Sequence, residues 1–137
     1  METTLFDKKG EAAGYIAADY NTTIYLWDGS PVAYLHNEQH LYGINGRHLG
    51  WLIDGIIYDH SGARVGFLFN TCPVSTFKEP VKGKRRLPDQ IRPKWAAPPL
   101  TKLTYSLSGQ DLTDFLKEGQ VRYREEAPPE EPQETEG

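Results

Sequence analysis

The hydrophobic and polar positions of the chain repeat in a twelve-residue pattern that occurs four times between Leu5 and Leu68. Each copy starts with an aliphatic and an aromatic residue, reaches a glycine at its sixth position, and ends with a small, an aromatic and an aliphatic residue. The four copies read LFDKKGEAAGYI, IYLWDGSPVAYL, LYGINGRHLGWL and IYDHSGARVGFL. Repetition at a fixed length indicates one supersecondary unit that is built four times.

The glycine in each copy predicts a tight turn between two strands. Asp28-Gly29 and Asn45-Gly46 favour two-residue hairpin turns, because both central residues of such a turn need a positive φ. Each copy is therefore predicted to form one β-hairpin. With a two-residue turn, the aromatic residue four positions before the glycine pairs with the residue three positions after it. The predicted pairs are Phe6 with Ala13, Tyr25 with Val32, Tyr42 with Leu49, and Tyr58 with Val65.

Strand alternation divides each hairpin into two faces. The later aromatic residue of each copy lies on the same face as the earlier one, so that face is strongly apolar. The later aromatics are Tyr15, Tyr34, Trp51 and Phe67. The small residue before each of them lies on the other face, where a missing side chain lets another backbone approach closely. These small residues are Gly14, Ala33, Gly50 and Gly66.

The succession of hairpins predicts an all-β ring or barrel. An isolated hairpin is barely stable in water, so four consecutive hairpins must share one core. A closed ring lets neighbouring hairpins cover each other's apolar faces and edges. A β-propeller is excluded, because its blades take about 40 residues each.

The chain resembles the four-fold β-flower proteins over roughly residues 3–119. The resemblance rests on the four hairpin repeats, on the segment YLWDGSPVAYL in the second copy, and on a basic, proline-rich segment followed by a short final helix. It implies four hairpins around a pseudo-fourfold axis. It brings no catalytic residues with it.

After the last repeat the chain changes character. Prolines at positions 73, 80, 88, 93, 98 and 99 exclude long regular elements in this segment. Further on, Ser108 and Asp111 have the spacing of a capping box, and Leu107 and Leu112 are placed as a hydrophobic staple. The pattern predicts a short helix over about residues 109–118 that is closed by Gly119.

The chain is thus predicted to have four parts. A hairpin domain spans 1–72, a proline-rich basic strap spans 73–107, a helix of about ten residues lies within 108–119, and a disordered acidic tail spans 124–137. The helix is too short to be stable alone, so it is expected to dock on the hairpin core or on a second chain. Its predicted apolar face holds Leu112, Phe115 and Leu116.

Composition indicates a cytoplasmic protein that does not enter membranes. No apolar run approaches the roughly 20 residues that cross a bilayer, and the first residues lack the pattern of a signal peptide. The single cysteine, Cys72, agrees with a reducing compartment. The net charge of −4 combines seven basic and two acidic residues between Lys78 and Lys94 with six glutamates between Glu125 and Glu136.

Two aspartates are candidate binding residues. Asp7 and Asp59 occupy the same position in the first and fourth copies, which are neighbours if the ring closes. Such a pair could bind a cation or share a proton. The equivalent Leu26 and Gly43 exclude an acidic ring, and aspartates near turns usually accept hydrogen bonds from local backbone N–H groups.

The histidines offer weaker signals. His60 lies beside Ser61 in the fourth turn, without a nucleophile elbow around it. His36 and His40 have a spacing found in metal sites, but they lie in the linker between the second and third hairpins, where solvated polar residues are expected. No metal ligand and no cofactor are predicted.

Trp27 departs from the repeat, because the equivalent residues are Lys8, Ile44 and His60. A single aromatic residue that the repeat does not require is a candidate platform for a sugar or a peptide, and the alternative is packing in the core or an interface. The aromatic repeats also resemble choline-binding modules superficially, but the Trp-Tyr-Tyr runs of those modules are missing.

The sequence therefore favours a non-enzymatic binding or scaffold module for an unknown protein or small ligand, with Trp27, Asp7, Asp59 and His60 as its candidate ligand-binding residues. No catalytic set is coherent. The alternatives are a small metal-dependent hydrolase that uses the two aspartates with the histidine, and nucleic-acid binding through the basic strap, against which the overall acidity argues. The small core also favours self-association.

Overall fold

A computed structural model describes residues 2–87, 99, 101 and 103–121 of the chain. Eight antiparallel strands form a closed barrel in chain order, and β1 closes it against β8 by pairing Phe6 with Phe67. The predicted all-β fold of four hairpins in a ring is confirmed. The strands are β1 (Thr3–Phe6), β2 (Ala12–Ile16), β3 (Thr23–Leu26), β4 (Pro31–His36), β5 (His40–Gly43), β6 (His48–Ile53), β7 (Ile56–Tyr58) and β8 (Arg64–Phe67).

The predicted register within each hairpin is wrong by one residue. In the first hairpin Leu5 pairs with Gly14 and Phe6 with Ala12, so Ala13 is skipped by a β-bulge. The other three hairpins repeat this bulge. Tyr25 pairs with Pro31, Tyr42 with His48, and Tyr58 with Arg64.

The bulge accompanies a turn that is longer than two residues. In the first hairpin the Asp7 N–H donates to the Glu11 carbonyl at 2.9 Å, and the Gly10 N–H donates to the Asp7 carbonyl at 3.0 Å. Only the glycine of the turn has a positive φ, at 86°. Its equivalents Gly29, Gly46 and Gly62 have φ of 95°, 93° and 87°. One left-handed residue per tip explains the glycine in every copy.

The barrel interior is aliphatic. Side chains from all eight strands and from the helix form one contiguous cluster, which is possible only on the inward face of a closed sheet. Each hairpin contributes the first residue of its repeat and the bulged residue. These are Leu5, Ile24, Leu41 and Ile57, with Ala13, Val32, Leu49 and Val65.

The aromatic residues lie on the outer face of the barrel, so the repeat has two apolar faces. The late aromatic of one hairpin pairs with the early aromatic of the next, as Tyr15 does with Tyr25 and Trp51 with Tyr58. These residues are nonetheless buried, because neighbouring rings and the C-terminal segment cover them. Trp51, for example, is 2% exposed.

One helix, α1 (Leu112–Lys117), closes the barrel at the end where the hairpin tips lie. Its buried face consists of Leu112, Phe115 and Leu116, as predicted. The small residues of the repeat admit it, because a Cβ on Gly66 would press on Leu112 and one on Gly50 would approach Phe115. The predicted docking of the helix on the hairpin core therefore has a direct steric cause.

The predicted start of the helix is wrong. Asp111 is the N-cap, and its carboxylate accepts a hydrogen bond from the Thr113 N–H at 3.1 Å. Ser108 instead accepts from the Gln110 N–H and donates to Asp59. Gly119 follows the C-cap, and a Cβ there would overlap the Val32 carbonyl, so close packing accounts for this glycine.

The C-terminal segment makes backbone hydrogen bonds with all four hairpin tips. Three N–H groups of the segment donate to tip glycine carbonyls: Phe77 to Gly10 at 2.8 Å, Arg86 to Gly29 at 2.9 Å and Thr104 to Gly62 at 2.9 Å. At the third tip the direction is reversed, because the Asn45 N–H donates to the Gly119 carbonyl at 3.1 Å. The division at residues 72 and 107 stays a prediction. The predicted acidic tail, and Arg92, Lys94 and Trp95 of the strap, lie outside the described residues.

No helix within the described ranges is long and apolar enough to cross a membrane.

Candidate functional site

All four histidines of the chain gather on the outer face, around the third and fourth hairpins. His36 ends β4 and is the cross-strand partner of His40, which begins β5. His48 begins β6, and His60 lies in the tip of the fourth hairpin. The pairing of β4 with β5, the bulge between β5 and β6, and the pairing of β6 with β7 thus bring together residues from four different segments.

Three of these imidazoles form a hydrogen-bonded chain, here called the histidine row. His40 Nδ1 lies 3.1 Å from His48 Nε2, and His48 Nδ1 lies 2.9 Å from His60 Nε2. His48 therefore uses both ring nitrogens. A neutral imidazole has one N–H and one lone pair, so His48 donates to one neighbour and accepts from the other.

The environment keeps the middle of the row uncharged. Burial, followed by the nearby His60 and His40 rings, lowers the pKa of His48 to about 4. Burial, followed by the electrostatic effect of the nearby His36, also lowers the pKa of His40. Both shifts disfavour the imidazolium form, so these two rings are neutral at pH 7.

The row rests on aromatic rings. The His48 ring meets Trp51 with a centroid separation of 5.2 Å and meets Tyr42 edge-on at 5.0 Å. The His60 ring lies 5.7 Å from Trp51. The indole N–H of Trp51 is buried and has no hydrogen-bond partner within the described part of the chain. Packing on rigid strands fixes the imidazoles of His40 and His48 in place.

A cavity of about 290 Å³ opens beside His48 and His60, between two hairpin tips and the helix. We call it the histidine cavity. Its walls carry a guanidinium, two carboxylates, a hydroxyl and an amide, and its floor is apolar. The lining residues are Arg47, His48, Leu49, Asp59, His60, Ser61, Gln110, Phe115 and Glu118.

Asp59, one of the predicted binding residues, lines this cavity and also organises its tip. Its Oδ1 accepts from the N–H groups of Ser61 and Ala63 at 3.0 Å each, and its Oδ2 accepts from the Ser108 hydroxyl at 2.7 Å. Burial raises the pKa of Asp59, but the hydrogen bonds from Ser61, Ser108 and Ala63 together outweigh burial and lower that pKa overall. The carboxylate is therefore ionised at neutral pH.

Asp7 does not line the cavity. Its Oδ1 accepts from the Lys9 and Glu11 N–H groups at 2.8 and 3.0 Å, as turn aspartates commonly do. Ser108 connects the first and fourth tips, because its carbonyl accepts from Lys8 Nζ at 2.6 Å while its hydroxyl binds Asp59. Among the described residues, no group of three or more His, Cys, Asp or Glu side chains is arranged to hold a metal ion.

Trp27 lies apart from the histidines, on the side of the first and second hairpins. Its ring is half-buried against Tyr15, with centroids 5.0 Å apart, and Tyr15 stacks on Tyr25 at 5.7 Å. We call these three residues the aromatic platform. The indole N–H of Trp27 is buried and has no partner among the described residues.

Cations of the strap cover this platform. The Arg85 guanidinium lies 4.8 Å from the Tyr25 ring centroid and 5.4 Å from that of Tyr15, and its Nε donates to the Tyr15 hydroxyl at 3.1 Å. Lys82 Nζ lies 4.9 Å above Tyr15, and Glu2 pairs with both cations. The platform that the sequence offered to an external ligand is in contact with the protein's own side chains.

His48 is absent from the candidates that sequence reasoning produced. The sequence does mark His48 as a departure from the repeat, because the equivalent residues are Ala12, Pro31 and Arg64. Trp27 departs from the repeat to the same degree. The meeting of His48 with His40 and His60 could not be inferred, because it depends on the bulge and on the longer tip. The sequence did single out His60, which the structure places next to Asp59 at the cavity.

Comparison with known proteins identifies the architecture alone. A family model described as "4-fold beta flower protein" matches residues 3–116, which include all four hairpins and most of the helix. The search of curated proteins found no match. The search of solved structures found none either.

Proposed function

Because the chain belongs to the four-fold β-flower family, whose description names an architecture and no activity, we propose that it is a non-enzymatic binding module that takes a small polar ligand in the histidine cavity. The observation that carries the proposal is the cavity itself. It collects two predicted binding residues, Asp59 and His60, together with His48 and Arg47.

The size and lining of the cavity define the ligand class. About 290 Å³ lies at the lower limit for small-molecule sites, which hold a few directed polar groups over an apolar surface. Leu49 and Phe115 supply the apolar floor. The ionised Asp59 and the cationic Arg47 give the walls both signs of charge, which suits a ligand that has both donors and acceptors.

The aromatic platform supports the proposal less well than the cavity does. A sugar or a cation that stacked on Trp27 or Tyr15 would have to compete with the Arg85 and Lys82 contacts already made there. Ligand binding at the platform would therefore carry the cost of moving the strap, whereas the cavity is open as it stands.

The enzymatic and nucleic-acid alternatives also have less support. A hydrolase that used Asp7 with Asp59 and His60 would need three converging side chains, but Asp7 lies at a different tip and both carboxylates accept hydrogen bonds from local N–H groups. In the strap, Lys82 and Arg85 already pair with Glu2, which reduces the free positive charge that phosphates would meet.

A thermal-shift screen of the purified chain tests the proposal. The compounds are small carboxylates, amines, nucleobases, saccharides and choline analogues, with a chelator present in every well. A ligand at 100 times its dissociation constant should stabilise the fold by about 2.7 kcal/mol. We expect the shift to disappear in Arg47→Ala and His60→Ala, which alter the cavity.

The repeat supplies a matched control at an equivalent position of the first hairpin. Glu11→Ala corresponds to Arg47→Ala. This control should retain the ligand shift. A shift that survives the cavity variants but is lost in Trp27→Ala would assign binding to the aromatic platform and refute the proposal, as would a complete screen without any shift.

A further inference from the structure

The pseudo-fourfold repeat acts as an internal reference for the histidine row. The residues equivalent to His40 are Thr4, Thr23 and Ile56, and those equivalent to His48 are Ala12, Pro31 and Arg64. The same strand and bulge positions are therefore built three times without histidine, so the fold does not require an imidazole at either place. A property other than hairpin formation accounts for the row.

The facing nitrogens of His40 and His48 have the separation of two ligands on one metal ion. Imidazole nitrogens lie about 2.0–2.1 Å from Zn²⁺, so two of them at angles between square and tetrahedral are about 2.9–3.4 Å apart. His40 Nδ1 and His48 Nε2 are 3.1 Å apart. Both residues begin adjacent strands, and the His48 ring packs against His40 and Tyr42. A bound ion would replace the hydrogen bond between the two nitrogens, with the proton of His40 carried on its Nε2 instead of its Nδ1.

The other nitrogen of His48 already has the partner that a metal-bound imidazole uses. Histidine ligands commonly donate their second N–H to an acceptor, which fixes the tautomer and orients the ring. His48 Nδ1 lies 2.9 Å from His60 Nε2, so an N–H on Nδ1 leaves the Nε2 lone pair directed at His40. His60 is thus a positioning residue for this pair.

We infer that His40 Nδ1 and His48 Nε2 form a two-imidazole site for a divalent transition-metal ion such as Zn²⁺ or Ni²⁺, with solvent completing the coordination. Imidazole is a favoured ligand of these ions. The site does not depend on the small-ligand proposal, because His40 does not line the histidine cavity.

Isothermal titration of the full chain, without a histidine tag and pre-treated with a chelator, tests the inference with Zn²⁺ and Ni²⁺. We expect one saturable ion per chain. His40→Asn and His48→Gln keep a polar side chain of similar reach but remove the ligand nitrogen, and each should weaken binding by more than about tenfold. His60→Gln should weaken it by about tenfold, because it disturbs only the orientation of His48.

Two controls separate this site from others. Glu11→Ala, at the first-hairpin position equivalent to Arg47, should leave metal affinity unchanged, and His36→Asn, outside the row, should retain affinity within a few-fold. Circular dichroism of each variant verifies folding, and long-range ¹H–¹⁵N spectra of the unmodified chain should show Zn²⁺ shifting His40 Nδ1 and His48 Nε2. Absence of saturable binding, or full affinity in either His40→Asn or His48→Gln, would overturn the inference.

Discussion

The second and fourth hairpin tips carry different chemistry at the same position of the repeat. Trp27 leans on Tyr15 of the preceding hairpin with ring centroids 5.0 Å apart, and His60 leans on Trp51 of its preceding hairpin at 5.7 Å. The geometry is shared. At the contact between Trp27 and Tyr15, Arg85 of the strap lies over the Tyr15 ring. At the contact between His60 and Trp51, the neighbouring ring is that of His48.

The aromatic platform is covered by the strap, whereas the histidine side lies beside an open cavity. The aromatic platform is closed by a guanidinium, an ammonium and Glu2, so its apolar area stabilises the attachment of the strap. The histidine side presents the half-buried, neutral imidazole of His48 beside an open cavity. Burial of the aromatic platform therefore contributes mainly to stability, while the histidine side retains groups that can bind a ligand.

The largest expected effect is loss of the ring at the centre of the platform. Tyr15 is 1% exposed and touches Tyr25, Trp27, Lys82 and Arg85. Tyr15→Ala should lower the free energy of unfolding by about 3 kcal/mol, as buried aromatic truncations do. Urea denaturation measures this, and Tyr15→Phe, which removes only the hydroxyl bonded to Arg85, should cost about 1 kcal/mol. Equal losses in both variants would contradict a packing role for the ring.

Alanine substitutions of Trp27 and His60, which are equivalent in the repeat, compare how much each tip side chain contributes to the free energy of unfolding. Trp27→Ala removes a half-buried ring and should cost about 2 kcal/mol of unfolding free energy. His60→Ala removes an exposed ring and should cost less than about 0.5 kcal/mol. Parallel urea titrations compare the two variants, and a larger loss in His60→Ala would reverse the assignment of stability to the platform.

Stability should also depend on pH through the histidine side. The pKa of His48 is about 4 in the folded chain, against an ordinary value near 6.5 when unfolded. The unfolded chain therefore binds more protons between these values, so the free energy of unfolding should fall as pH drops from about 6.5 to 4.

Because His48 is only half-buried, we expect this pH-dependent loss to be about 1 kcal/mol after solvent screening. Urea titrations across this pH range, with a chelator present, measure it. His48→Gln is the comparison, since it cannot titrate there and should show a shallower slope. Identical slopes in the two proteins would show that His48 does not carry the effect.

A modest effect is expected at the cover of the platform. Arg85→Ala removes two ring contacts, a hydrogen bond to Tyr15 and an exposed ion pair with Glu2, and should cost about 0.5–1 kcal/mol. Lys84→Ala in the same exposed segment is the control and should be nearly neutral. Thermal denaturation of both variants checks this, and a larger loss in the control would refute the role of Arg85 as a cover.

Much of the fold could be predicted from the repeat, because alternation and turn glycines are local properties. The register could not, since a bulge follows each tip and skips Ala13 and its equivalents. The helix start was displaced because Ser108 bonds to Asp59, a residue 49 positions away. Long-range partners of this kind leave no local mark in the sequence.

The candidate site was only partly predictable for the same reason. Asp59 is a candidate because it shares its repeat position with Asp7, and His60 because it lies beside Ser61 in a turn; both line the cavity. Trp27 stood out equally, but the strap residues that cover it come from a segment without regular structure. The row of His40, His48 and His60 needs the bulge and the longer tip, neither of which the residues themselves show.

The most direct test of the central claim is a ¹H–¹⁵N spectrum of the tryptophan side chains during a screen of small polar fragments. Trp51 lies beneath the histidine row and Trp27 belongs to the aromatic platform, so their indole signals report on the two places separately. Assignment uses Trp27→Phe and Trp51→Phe. We expect fragments that bind to shift the Trp51 indole signal and to leave the Trp27 signal unchanged. Fragments that shift the Trp27 signal alone would contradict binding in the histidine cavity.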